Sequence, residues 1–174
     1  MNVYPLVMVP SFRHGSETPW GGHALKELFG KNSPDEITGE SLEVSALPGH
    51  ESRVANGEYA GKTLRDLFPL WGKCLTGREE NGFPLLLKLL DTRQPLSVQV
   101  HPDDSYALSH EGKPGKSEAW YILDAAPGAQ LVYGIDTHGQ SLRSVLDEGR
   151  QSGSEMGVEE GSGFVGILSW TCGA

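Results

Sequence analysis

Cysteine is scarce in this sequence: of 174 residues only Cys74 and Cys172 carry a thiol. They lie far apart and form no Cys-x-x-Cys pair, which argues against a disulfide framework or a thiolate zinc site and predicts reduced thiols. Long apolar runs are missing as well, and none reaches the ~20 residues that a membrane-spanning helix needs. The opening MNVYPLVMVPSF has no basic flank and is interrupted by proline, so it makes a poor signal peptide. Positive charge is the third shortage, with 14 Lys and Arg against 23 Asp and Glu and a net charge of −9. So acidic a surface repels a phosphate backbone or an anionic bilayer, so neither nucleic acid nor membrane is expected as a partner, and the location expected is cytoplasmic. A small anionic substrate remains open, because a local pocket of Lys or Arg is enough to hold one.

Apolar residues make up 37% of the chain and charged residues 21%, ordinary proportions for a globular domain with a real core. The 23 glycines and 11 prolines fall between short apolar runs, a pattern of turns joining short strands. The class expected is therefore mainly β, with a few short helices. Strand character is clearest in Ser41–Ala46 and Leu96–His101, which alternate, and in Ala119–Leu123 and Gln130–Tyr133. Thr63 is a good helix N-cap, and Leu64, Leu67 and Phe68 after it have helical spacing; Ser141–Glu148 reads the same way through Leu142, Val145 and Leu146. Phe83–Leu90 suits either a buried strand or a short buried helix. From Gly149 onward Gly and Ser crowd the chain, so we divide it into a catalytic region over 1–149 and an atypical tail over 150–174, disordered or an unpaired strand.

The chemistry concentrates in Leu96-Ser-Val-Gln-Val-His-Pro-Asp-Asp104 and Gly115-Lys-Ser-Glu-Ala-Trp120. In a strand, side chains at i and i+2 leave the same face, so Gln99 and His101 would project together while Val98 and Val100 pack behind. The Gly/Pro-rich link EGKPGKS can turn the chain back and deliver Glu118 to the same spot. An amide oxygen, an imidazole and a carboxylate make a site for Zn²⁺ or another divalent ion. A lone strand histidine also serves as an ordinary hydrogen-bonded residue, so spacing alone leaves both readings open. Asp103 and Asp104 read as turn residues after Pro102. His14, His23, His50, His110 and His138 lie in polar or Gly-rich contexts and read as surface.

The string SVQVHPDD, followed by Gly115-Lys-Ser-Glu-x-Trp-Tyr121, resembles the central motif of type I phosphomannose isomerases. Supporting matches occur in the family's order: Pro19-Trp-Gly-Gly22, Thr38-Gly-Glu40, Asn56-Gly57, Gly61-Lys-Thr-Leu64 and Pro84-Leu-Leu-Leu-Lys-Leu-Leu-Asp91. The resemblance covers roughly Pro5 to Gly149 and is closest to the shorter bacterial members. It implies a cupin-like jelly roll or β-barrel, here incomplete, with one zinc at its mouth and a sugar phosphate as substrate. It implies Gln99, His101 and Glu118 as metal ligands, Lys116 as the catalytic pocket lysine, and Trp20, Glu40, Lys88 and Ser97 as substrate-binding residues. The reaction implied is interconversion of mannose 6-phosphate and fructose 6-phosphate by proton transfer between C1 and C2. Trp20 reads equally as core or as a face for the sugar ring, and Glu40 equally as a pocket residue or a strand-end carboxylate.

The family's Pro-x-Gly-x-x-His turn, which brings a fourth ligand, and the arginine beyond it have no counterpart: no histidine follows His138 and no arginine follows Arg150. We expect the tail to be a shifted or terminated reading frame or a domain fragment. The coding DNA past Gly149 tests this, and an intact frame without that turn in any nearby phase would sink it. Two other classes compete, a cupin module that binds metal or sugar phosphate without turnover and a metal-dependent oxygenase, though the latter wants more histidines than this stretch offers.

Overall fold

The computed structural model describes residues 3–80, 82–97, 99, 101–131, 138–141 and 143–144, together with the strand at 164–165. Its centre is an antiparallel sheet of five strands: β2 (Ser11–His14), β3 (Thr38–Val44), β5 (Leu87–Thr92), β6 (Asp124–Ala125) and β7 (Phe164–Val165), in the spatial order β2-β3-β5-β7-β6. A separate pair joins β1 (Met8–Val9) to β4 (Arg53–Val54). Short helices among the described residues flank them, including α1 (Ala24–Glu27), α2 (Leu64–Trp71), α3 (Lys73–Thr76) and α4 (Asp104–His110). The class is mainly β as expected, and among the described residues the sheet does not close into a barrel.

β3 is the spine of this sheet. Its residues Thr38 to Leu42 are all buried, so both faces are covered and the strand reads as small polar and apolar residues without strict alternation. Phe83–Leu90, open between strand and helix in the sequence, resolves as a strand that starts at Leu87 and pairs Glu40 with Leu90 and Leu42 with Lys88. The core comprises Leu25, Leu42, Leu64, Leu67, Trp71 and Leu90, with buried hydroxyls among them. Each hydroxyl needs a partner there: Thr18 donates to the Arg13 carbonyl and accepts from the Gly39 amide, and Ser52 Oγ accepts from the Ser45 amide.

α2 begins where Thr63 predicts. Thr63 Oγ1 accepts from the Asp66 amide at 3.2 Å, and the Asp66 carboxylate accepts from the Thr63 amide at 2.9 Å, a reciprocal capping box. Pro69 lies inside the helix, and Gly72 ends it.

The expected strand over Leu96–His101 is not formed among the described residues, which run without ladder bonds between Thr92 and Asp104. Ser97 and Gln99 are exposed, so no buried face would reward pairing. Ala119–Leu123 likewise stays outside the sheet, with Tyr121, Ile122 and Leu123 exposed, and β6 starts only at Asp124. Tyr133 and most of Ser141–Glu148 lie outside the described residues. Of the 150–174 segment only Phe164–Val165 is described, and it pairs with Asp91–Thr92 on one side and Asp124–Ala125 on the other.

Candidate functional site

One part of the site rises from the sheet. Arg13 on β2 lies directly across from Glu40 on β3, so their side chains leave the same face. Lys88 on β5 reaches that carboxylate too: its ammonium donates to Glu40 Oε1 at 2.9 Å, while Arg13 Nη1 stands 3.5 Å from Oε2. Both Glu40 and Lys88 are nearly buried, at 8% and 12% side-chain exposure, which sets this pair apart from the solvated ion pairs of the surface. Glu40 is thus no solvated strand-end carboxylate. Beside it, Trp20 lays its ring on the backbone of Gly39 so closely that a Cβ there would come within 2.7 Å of it. Trp20 is half-buried, and its carbonyl accepts from the Arg93 amide at 2.8 Å, tying the Pro19–Gly22 loop to the end of β5.

The other part comes from the turn between His101 and Trp120. Asp103, read as a turn residue, is the N-cap of α4 and accepts from the Tyr106 amide at 2.9 Å. Asp104 accepts from the Gly115 amide at 2.7 Å, and the Lys116 amide donates to the Pro102 carbonyl at 3.2 Å. Gly115 fits because it has no side chain: a Cβ would lie 2.5 to 2.7 Å from the backbone of Pro102, Asp103 and Asp104. This clamp returns the chain to His101. Glu118 Oε2 then stands 2.9 Å from His101 Nε2, and the Lys116 ammonium is in ionic contact with the same oxygen and 3.3 Å from the imidazole. Trp120 donates its indole N–H to Glu118 Oε1.

Glu118 Oε2 is buried, yet no N–H or O–H is aligned to donate to it; the Lys116 ammonium and the His101 imidazole crowd it instead. Burial pushes the Glu118 carboxyl up, but the Lys116 ammonium, the Trp120 indole and the charge of Lys88 together outweigh it, leaving the group below its ordinary value. The Lys88 contribution joins the two parts electrostatically. Ser97 and Gln99 form a third, exposed group, in which the Gln99 amide donates to Ser97 Oγ at 3.1 Å. A cleft bordered by Glu51, Arg53, Thr63, Arg65 and Asp66 shares no residue with this cluster, and its charges are already engaged, as in the 3.3 Å Arg65–Glu51 pair.

A type I phosphomannose isomerase catalytic-domain model matches residues 13–122, well over half of the chain and the whole span from Arg13 to Trp120. This chain belongs to the type I phosphomannose isomerase family. Among its relatives, a putative mannose-6-phosphate isomerase of Bacillus subtilis is 45% identical over 135 residues, covering 77% of this chain and 42% of the relative. The mannose-6-phosphate isomerase of Streptococcus mutans is 43% identical, covering 75% and 42%. The crystal structure of the mannose 6-phosphate isomerase from Bacillus subtilis superposes with a TM-score of 0.77 at 36% identity, over 98% of this chain and 56% of that one. This phosphomannose isomerase family member therefore spans about half the length of the relatives it matches.

Of the residues that the sequence singles out, the structure brings His101, Lys116 and Glu118 into direct contact, and Glu40 with Lys88. It sets Trp20 beside Glu40 and Ser97 beside Gln99. Gln99 turns to Ser97 rather than to His101 or Glu118. Two members of the cluster escape the sequence reading. Trp120 stands two positions after Glu118, and the i+2 spacing that pairs Gln99 with His101 points to it as well. Arg13 has no local motif; only the register of β2 against β3 reveals it.

Proposed function

We propose that this chain carries part of an aldose–ketose isomerase site for mannose 6-phosphate and fructose 6-phosphate, with one Zn²⁺ held by Gln99, His101 and Glu118. The observation that carries this is the convergence of His101, Lys116 and Glu118 on one buried carboxylate oxygen in a chain of this family. The donor set fits the ion. The 2.9 Å between His101 Nε2 and Glu118 Oε2 is near the ~3.3 Å between neighbouring ligand atoms on tetrahedral zinc, and Oε2 has no aligned hydrogen bond to give up. Among the described residues no third His, Cys, Asp or Glu joins them, so the third donor is Gln99, whose amide would exchange Ser97 for the ion.

When bound, zinc supplies Lewis-acid polarisation of the sugar's carbonyl and adjacent hydroxyl. The chain's own residues do the rest. Lys116, whose ammonium rests against Glu118, would give a proton to a sugar oxygen beside the ligand set. Lys88 and Ser97 are the phosphate-binding groups, Lys88 supplying positive charge from a nearly buried position. Trp20 offers a face of its ring to the sugar, and Glu40 holds Lys88 in place. The cytoplasm is the compartment we assign, and no helix among the described residues is long and apolar enough to cross a membrane.

The test is an assay for fructose 6-phosphate formed from mannose 6-phosphate, with and without added Zn²⁺, run beside metal analysis of the purified chain. Zinc-dependent turnover that vanishes in His101→Ala and Glu118→Ala is the expected outcome. Zinc bound without turnover would replace this reading by that of a binding module, and absence of both would overturn it.

A further inference from the structure

Glu40 has two cationic neighbours, but they hold it unequally. Lys88 donates to Oε1 at 2.9 Å, a full charge-assisted bond from a nearly buried ammonium. Arg13 meets Oε2 only through Nη1 at 3.5 Å, too long for a good hydrogen bond. Its Nε is buried and has no acceptor at all. A guanidinium beside a carboxylate favours the two-pronged geometry in which two N–H groups serve two oxygens. Arg13 lies directly across the ladder from Glu40, so that geometry is within reach, yet it is not adopted.

We propose that Arg13 is a positioning residue held in reserve: it closes onto Glu40 when Lys88 leaves that carboxylate for an anionic ligand. Resting on the reading of Lys88 as a phosphate-binding group, the logic is electrostatic. Where Lys88 turns from Glu40 to a phosphate, Glu40, at 8% exposure, would become a buried unpaired charge. Arg13 has the spare donor, and its side chain is 42% exposed. The exchange transfers no proton: Glu40 trades one cationic partner for another, and Lys88 is released as an ammonium. Arg13 acts through Lys88 and does not itself touch the anion.

The experiment has one arm without ligand and one with it. In urea unfolding of the whole chain, Lys88→Met alone should be mild, because Arg13 takes over Glu40. Lys88→Met with Arg13→Met should lower the folding constant about tenfold beyond the product of the two single effects. Adding Glu40→Gln should remove that excess, and should restore folding if the double variant fails to fold. Strictly additive effects would overturn the proposal. In the second arm, calorimetry with inorganic phosphate and with mannose 6-phosphate compares Arg13→Met and Arg13→Lys in wild-type and Glu40→Gln backgrounds. Arg13→Met should weaken binding about tenfold in the wild type and less than twofold with Glu40→Gln, and Arg13→Lys should rescue only part of the loss. An equal loss in both backgrounds would make Arg13 a direct anion ligand and overturn the reserve role. If neither ligand binds the wild-type chain, the phosphate-site reading fails, while the unfolding cycle still decides whether Arg13 stands in for Lys88.

Discussion

A single missing side chain decides whether the cluster of His101, Lys116 and Glu118 can assemble. Gly115 lies against the backbone of Pro102, Asp103 and Asp104, and the bond from its amide to Asp104 starts the return of Lys116 and Glu118 toward His101. Gly115→Ala drives a methyl group into backbone atoms that cannot yield without unwinding the first turn of α4. We expect a loss of ~1–3 kcal/mol of stability, as for other overpacked sites, and at least about a tenfold loss of zinc affinity in chelator competition, comparable to removing an outer-shell partner. Unchanged affinity would show that the clamp does not position Glu118. How far residues of this kind are legible in a sequence depends on the range of the interaction. Lys116, Glu118 and His101 sit in short motifs, and a turn between them can be foreseen. Arg13 meets its partner across the sheet, so its role depends on a register that no local pattern encodes.

Among the elements, α2 shows the clearest passage from sequence to structure, because its start is fixed by two residues three apart. Thr63→Ala removes one half of the capping box and should cost ~1 kcal/mol in urea unfolding. The other half is acid-sensitive. The Thr63 amide, and then its hydroxyl, hold the Asp66 carboxyl below its ordinary value of 3.8. Stability from that cap is therefore complete above 3.8 and lost as pH falls through the lowered folded value. Amide exchange in the first turn of α2 should accelerate only in that acidic window, and Asp66→Asn should flatten the response. α4 illustrates the opposite case: Pro102-Asp-Asp104 reads as a turn in the sequence, whereas in the structure Asp103 caps a helix that buries Ala107. The strand expected at Leu96–His101 is not formed among the described residues, where Ser97 and Gln99 are exposed and alternation has no buried face to serve.

Across the whole molecule, Asp91 links the sheet to the Trp20 loop. Its carboxylate is buried and accepts from the Ala24 amide at 2.6 Å, and a Cβ on Gly22 would collide with it. Burial raises its pKa above the ordinary 3.8, against the lowering effect of the Ala24 amide and the Arg93 charge. A raised folded value means that Asp91 contributes most below 3.8 and that this contribution is lost as pH rises through the folded value. Stability measured from pH 4 upward should fall less steeply in Asp91→Asn than in the wild type; identical slopes would remove Asp91 as the cause. Metal binding should act on the molecule globally as well. A ligand present at about a hundredfold above its dissociation constant adds ~2.7 kcal/mol to the folded state, so Zn²⁺ should raise the melting temperature of the wild type and leave that of His101→Ala unmoved.

The position of β7 has a kinetic consequence. β2, β3 and β5 all lie before residue 93 and can zip together early, but the pairing of Asp91–Thr92 with Phe164–Val165 closes a loop that contains α4 and β6. Such long-range closure is slow relative to local hairpins. During synthesis, the outer edge of β5 stays open to other chains until residue 165 has left the ribosome. The order of strands in space thus sets a window of vulnerability in time, and a chaperone that covers a bare strand edge would act on this protein mainly within that window.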